Sequence, residues 1–161
     1  MKNFFLKLNW RLIVIHILAS WLFLCAFREF VLMHDYSYQY VYSHNNKAPD
    51  EDRIMNNLYW NALSGVVGLL VAFIISFILS LRKRWFWPNS VIVFILGILS
   101  SPFILRLNAG YYINYLLGGL ITVPWKEFMT IGIMLLLPGL ILLLSKIFVR
   151  LIDKAAYKNS I

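Results

Sequence analysis

Hydrophobic residues gather into four long runs along this chain, and short clusters of charge separate the runs. The runs cover residues 12–33, 58–81, 90–107 and 128–149. A helix needs about 20 apolar residues to cross the hydrocarbon core of a bilayer. The pattern therefore predicts an all-α membrane protein, a bundle of four transmembrane helices in one integral membrane domain over residues 1–161. Residues 34–57 and 108–127 are expected to lie outside the membrane.

Composition supports the same fold class. Of the 161 residues, 61% are hydrophobic and 14% are charged, and the mean hydropathy is +0.72. Soluble domains average roughly 45–50% apolar and about 25% charged residues, so a water-soluble domain is excluded. The net charge of +8 does not indicate nucleic-acid binding, because the Lys and Arg residues lie beside the apolar runs.

The distribution of positive charge predicts the orientation, since cytoplasmic flanks of membrane helices are rich in Lys and Arg. With four crossings, one side receives Lys2, Lys7, Arg11, Arg82, Lys83, Arg84, Lys146, Arg150, Lys154 and Lys158. We therefore expect both termini in the cytoplasm (N-in/C-in). The chain contains no N-x-Ser/Thr acceptor, which fits the inner membrane of a bacterium.

Two segments contain residues that interrupt regular helix. Residues 110–125 are too apolar for an ordinary loop and short for a fifth crossing, so they are either an interfacial helix or a re-entrant hairpin that turns at Gly118-Gly119. The fourth run contains Pro138 and Gly139 at its middle, which predicts either a static kink or a hinge.

The second run carries small side chains at intervals of four residues, a spacing that places them on one face of a helix. Such a face lets another helix backbone approach closely, and close packing holds helices together in lipid. The face either packs inside the bundle or forms a groove for a partner chain. Its members are Ser64, Gly68, Ala72, Ser76 and Ser80.

Polar groups inside the first run are candidates for function, because buried ionisable side chains in membranes are costly. His16 and Ser20 are four residues apart and share a face. His16 is either a proton carrier or ligand contact, or a neutral histidine satisfied by a neighbouring group. Arg28 either meets an acid such as Asp35 or lies at a solvated helix end. Glu29 is adjacent to Arg28, points about 100° away and does not pair with it.

Tyrosines concentrate on the side opposite the positive charge. Tyr36, Tyr38, Tyr40 and Tyr42 alternate with other residues, a period of two that predicts an extended strand with one aromatic face. With Tyr111, Tyr112 and Tyr115 they form either an aromatic belt at the headgroups or an outer cap that recognises a partner.

Residues for catalysis or metal binding do not form a convincing pattern. His34, Asp35, His44, Asp50, Glu51 and Asp52 match no metal geometry, and Cys25 has no second cysteine to pair with. We therefore expect no metal and no cofactor, and no set of catalytic residues emerges.

These features favour a non-catalytic membrane subunit or accessory and assembly factor. It would contact the bilayer and either other membrane-protein chains or copies of itself, through the small-residue face and the outer tyrosines. One alternative is a small homo-oligomeric channel or transporter, with residues 110–125 lining a path that His16 or Arg28 gates. A second alternative is an enzyme that modifies lipid at the outer interface.

Overall fold

The computed structural model describes residues 7–43, 51–107, 109–117 and 124–158. Within those ranges the backbone forms six α-helices and no strand. The helices are α1 (Trp10–Ser43), α2 (Glu51–Arg82), α3 (Pro88–Leu107), α4 (Ala109–Leu117), α5 (Pro124–Leu144) and α6 (Lys146–Lys158). Four segments are long and apolar enough to cross a membrane: Trp10–Met33, Ala62–Arg82, Pro88–Leu107 and Lys126–Leu144. The predicted four-helix membrane bundle is confirmed.

The last membrane helix is shorter than the sequence predicts. α5 ends at Leu144 instead of residue 149, and α6 begins at Lys146 after a break at Ser145. The Ser145 hydroxyl accepts a hydrogen bond of 3.3 Å from the backbone N–H of Ile147, so Ser145 caps the start of α6. Apolar residues continue beyond the break, which is why the hydrophobic run extends past the end of the span.

The expectation of an extended strand at the outer tyrosines was wrong. The backbone from Tyr36 to Tyr42 belongs to α1, which continues as helix to Ser43. A helix satisfies its own backbone hydrogen bonds, whereas a lone strand needs a pairing strand, and none occurs in the described ranges. The side chains of Tyr36, Tyr38, Tyr40 and Tyr42 lie outside the described residues.

α1 is the central helix and contacts α2, α3 and α5. Phe23 of α1 lies against Gly68 of α2 and also against Gly139 of α5, while Phe30 lies against Gly132. Later residues of α1 thus meet earlier residues of α5, so the two helices run in opposite directions. The order of contacts along each pair gives an up-down-up-down bundle.

One end of the bundle brings together the start of α1, the end of α2, the start of α3 and α6. We call it the basic end, because it exposes Lys7, Arg11, Arg82, Lys83, Arg84, Lys146, Arg150 and Lys154. Asn9 Nδ2 donates a hydrogen bond of 3.1 Å to the carbonyl oxygen of Ile152. The chain therefore starts its first crossing and returns after its fourth crossing at the same end.

A tight turn connects α2 to α3 at this end. The Trp85 N–H bonds to the Ser80 carbonyl at 2.9 Å, and the Arg84 N–H bonds to the Leu81 carbonyl at 3.2 Å. These two bonds define a Schellman motif, whose residue after the helix cap adopts a left-handed conformation. Arg84 occupies that position with a φ of 53°, where glycine is the usual residue.

Two of the predicted irregular segments are helical where they are described. α4 covers the first part of residues 110–125 and packs on α5 and α1. The proposed turn at Gly118-Gly119 lies outside the described residues. α5 continues through Pro138 to Leu144, and Gly139 is buried against the ring of Phe23. The close helix contact explains a small residue at this position without reference to a hinge.

Candidate functional site

A chain of hydroxyl groups joins two helices inside the basic end of the bundle. Ser76 and Ser80 lie one turn apart on α2, and Ser90 lies at the start of α3. The Ser76 hydroxyl donates to Ser90 Oγ at 2.9 Å, and Ser80 Oγ lies 2.8 Å from Ser90 Oγ. All three side chains are buried. We call His16 and these three serines the polar cluster.

His16 completes the polar cluster from α1. Its Nδ1 lies 2.7 Å from Ser76 Oγ, and its side chain is 0% exposed. The hydroxyl proton of Ser76 is used in the bond to Ser90, so the proton between His16 and Ser76 belongs to His16 Nδ1. The neutral ring then carries a bare, accepting nitrogen at Nε2.

His16 Nε2 is buried and has no hydrogen-bond partner among the described residues. The nearby aromatic partner of the ring is Trp85, with ring centroids 6.2 Å apart and planes inclined by 62°. Leaving a buried acceptor unpaired costs about 1–3 kcal/mol. His16 Nε2 is therefore the one buried side-chain nitrogen or oxygen of the polar cluster that has no hydrogen-bond partner in the described part of the chain.

Ser20 supports the same region but belongs to a different bond. Its hydroxyl donates to the backbone carbonyl of His16 at 2.7 Å, one turn earlier in α1. This local bond satisfies the buried hydroxyl and leaves the imidazole free of Ser20. His16 and Ser20 share a face of α1, whereas the imidazole forms its hydrogen bond with Ser76 on α2.

Two asparagines join the start of α1 to the start of α3 at the basic end of the bundle. Asn9 Oδ1 accepts from the Leu12 N–H at 3.2 Å, which caps α1. The Asn9 N–H donates to Asn89 Oδ1 at 3.1 Å, and Asn89 Nδ2 donates to the Phe86 carbonyl at 2.8 Å. Both side chains are buried, so these bonds replace the water that helix ends otherwise need.

The loop between α2 and α3 also holds the C-terminal helix. Trp85 Nε1 donates to Asp153 Oδ1 at 2.7 Å, and Lys83 Nζ lies 3.9 Å from Asp153 Oδ2. The tryptophan is 7% exposed, whereas Lys83 and Asp153 are partly exposed. The buried indole bond positions α6, and the exposed ion pair adds little, because surface pairs contribute about 0–1 kcal/mol.

The small-residue face of α2 is covered by helices of the same chain. All five of its members, Ser64, Gly68, Ala72, Ser76 and Ser80, are buried. A Cβ atom added to Gly68 would lie 2.7 Å from the backbone oxygen of Phe23 on α1. The face therefore packs inside the bundle, and a partner helix has no access to it in this arrangement.

A second group of polar residues lies near the other end of the bundle. Arg28 Nη1 donates to the carbonyl of Leu105 at 3.1 Å, so its bond is to the last turns of α3. Glu29 is 3% exposed, and its carboxylate lies directly against Gly110 of α4. Arg28 and Glu29 thus contact different helices, as their 100° separation on α1 predicts.

The outer tyrosines are described only in part. Tyr112 is 61% exposed and Tyr115 is 77% exposed, and Leu116 beside them is 82% exposed. Their spacing of three and four residues places them on one face of α4. The side chain of Tyr111 lies outside the described residues.

Comparisons with known proteins add no assignment. No family model, no curated protein and no solved structure matches the chain.

The described residues include no group of three or more His, Cys, Asp or Glu side chains that could hold a metal ion. His34 and Asp35 lie in α1 with undescribed side chains, and residues 44–50 lie outside the described ranges. The chemistry available in the polar cluster is hydrogen bonding.

Sequence reasoning did not identify Asn9, Asn89, Ser90 or Asp153. Asn9 carried a usable signal, because an asparagine directly before an apolar run is a helix N-cap signature. Asn89 and Ser90 follow Pro88 at a predicted helix start, where polar residues are ordinary. Their contacts with α1 and α2 depend on the rotation of each helix about its axis. A single sequence does not specify that rotation.

Proposed function

We propose that this protein is a non-catalytic membrane subunit or assembly factor. The observation that carries the proposal is that its buried serines bond to one another, to His16 and to backbone carbonyls. A nucleophilic serine needs a base and access to substrate, but these hydroxyl groups are enclosed. The polar residues of the bundle thus support its packing better than they support a reaction.

Partner binding is assigned to the exposed face of α4, formed by Tyr112, Tyr115 and Leu116. Large aromatic side chains are enriched at protein interfaces, where they bury much area at low entropic cost. The small-residue face of α2 was the other candidate, and its enclosure by α1 favours α4. The expected partner is another membrane protein with a contact surface at this end of the bundle.

The orientation forms part of the proposal. The exposed Lys and Arg residues of the basic end support its placement in the cytoplasm, with α4 on the opposite side. We propose the inner membrane of a bacterium as the location. Reporter fusions at both termini test this orientation, and active cytoplasmic reporters at both positions are expected.

A photocrosslinking amino acid at position 115 tests the partner surface, with position 99 as its matched control. Tyr115 and Leu99 are 77% and 72% exposed, and Leu99 lies on the lipid-facing side of α3. In native membranes, position 115 should give an adduct with another protein, whereas position 99 should give lipid adducts. Adducts only with a second copy of the chain would favour the homo-oligomeric channel or transporter instead. No protein adduct from position 115 would contradict the proposal.

A further inference from the structure

α6 is held firmly against the basic end of the bundle. Its Ile152 side chain is 0% exposed, and the carbonyl of the same residue accepts a hydrogen bond from Asn9. Trp85 bonds to Asp153 one residue later. α6 begins directly after the membrane-spanning part of α5 ends at Leu144. It therefore lies at the level where a bilayer changes from hydrocarbon to headgroups.

The surface of α6 divides into three stripes at helical spacing. The stripe against the bundle contains Val149 and Ile152. A second stripe is apolar but exposed, with Ile147 at 69% and Leu151 at 40% exposure. The third stripe is basic and exposed, and its members are Lys146, Arg150 and Lys154. The last two stripes are neighbours, because each basic residue except Lys154 directly precedes an exposed apolar one.

Cations from outside α6 extend the basic stripe. Arg11 Nη1 lies 3.4 Å from the carbonyl oxygen of Leu151, and Lys83 lies beside Asp153. Asp153 is the one acid of α6 and is already bonded to Trp85 and Lys83. The surface around α6 thus carries one carboxylate, that of Asp153, and five cations. The cations are Arg11, Lys83, Lys146, Arg150 and Lys154.

We infer that α6 is an anionic-lipid binding element. Helices with exposed apolar residues beside a basic face lie in the plane of the interface, with the apolar side in the acyl boundary. Ile147 and Leu151 enter that boundary, and the basic stripe binds the phosphate groups of anionic headgroups. The ligand is a lipid because the apolar stripe lies beside the basic one. A free phosphate ion has no apolar part and would contact only the basic stripe.

The size of the effect follows from the charge. Each Lys or Arg near an anionic membrane surface contributes about 1 kcal/mol, or about fivefold in affinity. Replacing three cations should therefore weaken binding of anionic lipid by at least about tenfold at low ionic strength, after allowance for screening. Binding of a zwitterionic lipid should change little.

The test uses the purified full-length protein in detergent and native mass spectrometry. Phosphatidylglycerol, phosphatidylcholine and inorganic phosphate are titrated separately into the wild type and into K146Q/R150Q/K154Q. The control is R106Q/K126Q, because Arg106 and Lys126 are exposed cations on the other side of the membrane. All five positions are exposed, so each variant is expected to keep its fold, which circular dichroism checks.

The wild type and the control should retain phosphatidylglycerol in preference to phosphatidylcholine, and the α6 variant should lose that preference. Equal retention of phosphatidylglycerol by all three proteins would overturn the inference. Displacement of phosphatidylglycerol by equimolar inorganic phosphate would identify a free-phosphate site and would also overturn it.

A second measurement tests the position of α6 in the bilayer independently of affinity. Nitroxide labels are placed at L151C or R150C, each with Cys25→Ala, and the protein is reconstituted into vesicles that contain phosphatidylglycerol. The label at 151 should be accessible to oxygen and protected from a water-soluble nickel chelate, and the label at 150 should show the reverse, because adjacent residues of a helix face about 100° apart at nearly the same axial level. Equal access of the chelate to both labels would contradict an interfacial α6.

Discussion

Two glycines one turn apart on α2 provide a sharp test of how the bundle is packed. A Cβ added to Gly68 would lie 2.7 Å from the Phe23 carbonyl oxygen and 3.1 Å from the Leu24 Cα. Both neighbours are backbone atoms of α1, so side-chain rotation cannot relieve the overlap. A Cβ added to Gly65 would lie 3.7 Å from the Leu24 side chain, an ordinary contact.

Gly68→Ala is therefore expected to destabilise the fold, and Gly65→Ala is not. Ordinary contacts begin at 3.4 Å, so α1 and α2 must separate locally by about 0.7 Å to admit the methyl group at residue 68. Overpacking of this kind costs about 1–3 kcal/mol. Replacing glycine by alanine in a helix returns up to about 1 kcal/mol at either position. The two variants should differ in free energy of unfolding by about 1–3 kcal/mol, with Gly65→Ala the more stable.

Unfolding in mixed micelles, with an increasing fraction of sodium dodecyl sulfate, measures this difference through the loss of near-ultraviolet circular dichroism. The two variants have the same composition and lie on the same helix, so general effects of alanine cancel between them. A Gly68→Ala protein as stable as the Gly65→Ala protein would refute the close contact between α1 and α2.

Three further substitutions test particular contacts by the same unfolding measurement. Arg84→Gly should stabilise the protein by about 0.5–1 kcal/mol, because glycine adopts the left-handed φ without strain. Ser76→Ala should cost about 1–3 kcal/mol by leaving the Nδ1 proton of His16 without an acceptor, whereas Ser101→Ala should change stability by less than about 0.5 kcal/mol. Trp85→Phe should cost about 1 kcal/mol and hasten proteolytic removal of α6, because it deletes the indole bond to that helix.

For each of these variants, one result would contradict the prediction. A destabilised Arg84→Gly protein would contradict the Schellman turn. Equal stability of Ser76→Ala and Ser101→Ala would show that the polar cluster does not hold the helices together. Unchanged proteolysis of Trp85→Phe would mean that the packing of Val149 and Ile152 and the Asn9 bond hold α6 without the indole bond.

The four crossings could be predicted from the sequence because each depends only on the length of an apolar run. The end of the last span could not, since Phe148 and Val149 continue the hydrophobic run although they belong to α6, where Val149 packs against the bundle. The tyrosine alternation was misleading for a related reason. A period of two indicates a strand only where another strand is present for pairing.

The candidate site was predictable in parts. Spacing along α2 placed Ser76 and Ser80 on one face, and burial costs in lipid singled out His16. The contact between His16 and Ser76 joins residues on different helices, and the rotation of each helix about its axis decides it. A single sequence with weakly amphipathic membrane helices contains little information about that rotation. The turn at Arg84 was missed because its usual signal, a glycine after the helix, is missing.

The central claim is that four crossings return the chain to the end at which the first one begins. Spin labels at R11C and L151C, with Cys25→Ala, test it directly by electron–electron double resonance in vesicles. Arg11 contacts the backbone of Leu151, so the labels should lie within about 20 Å of each other, allowing for the length of two labelled side chains. The control pair R11C and R106C should lie about 26 Å or more apart, because Arg106 lies 17 residues after Asn89 on α3 and each residue rises by about 1.5 Å. A separation at the first pair equal to the thickness of the hydrocarbon core, about 30 Å, would place the two ends on opposite sides and contradict the fold described here.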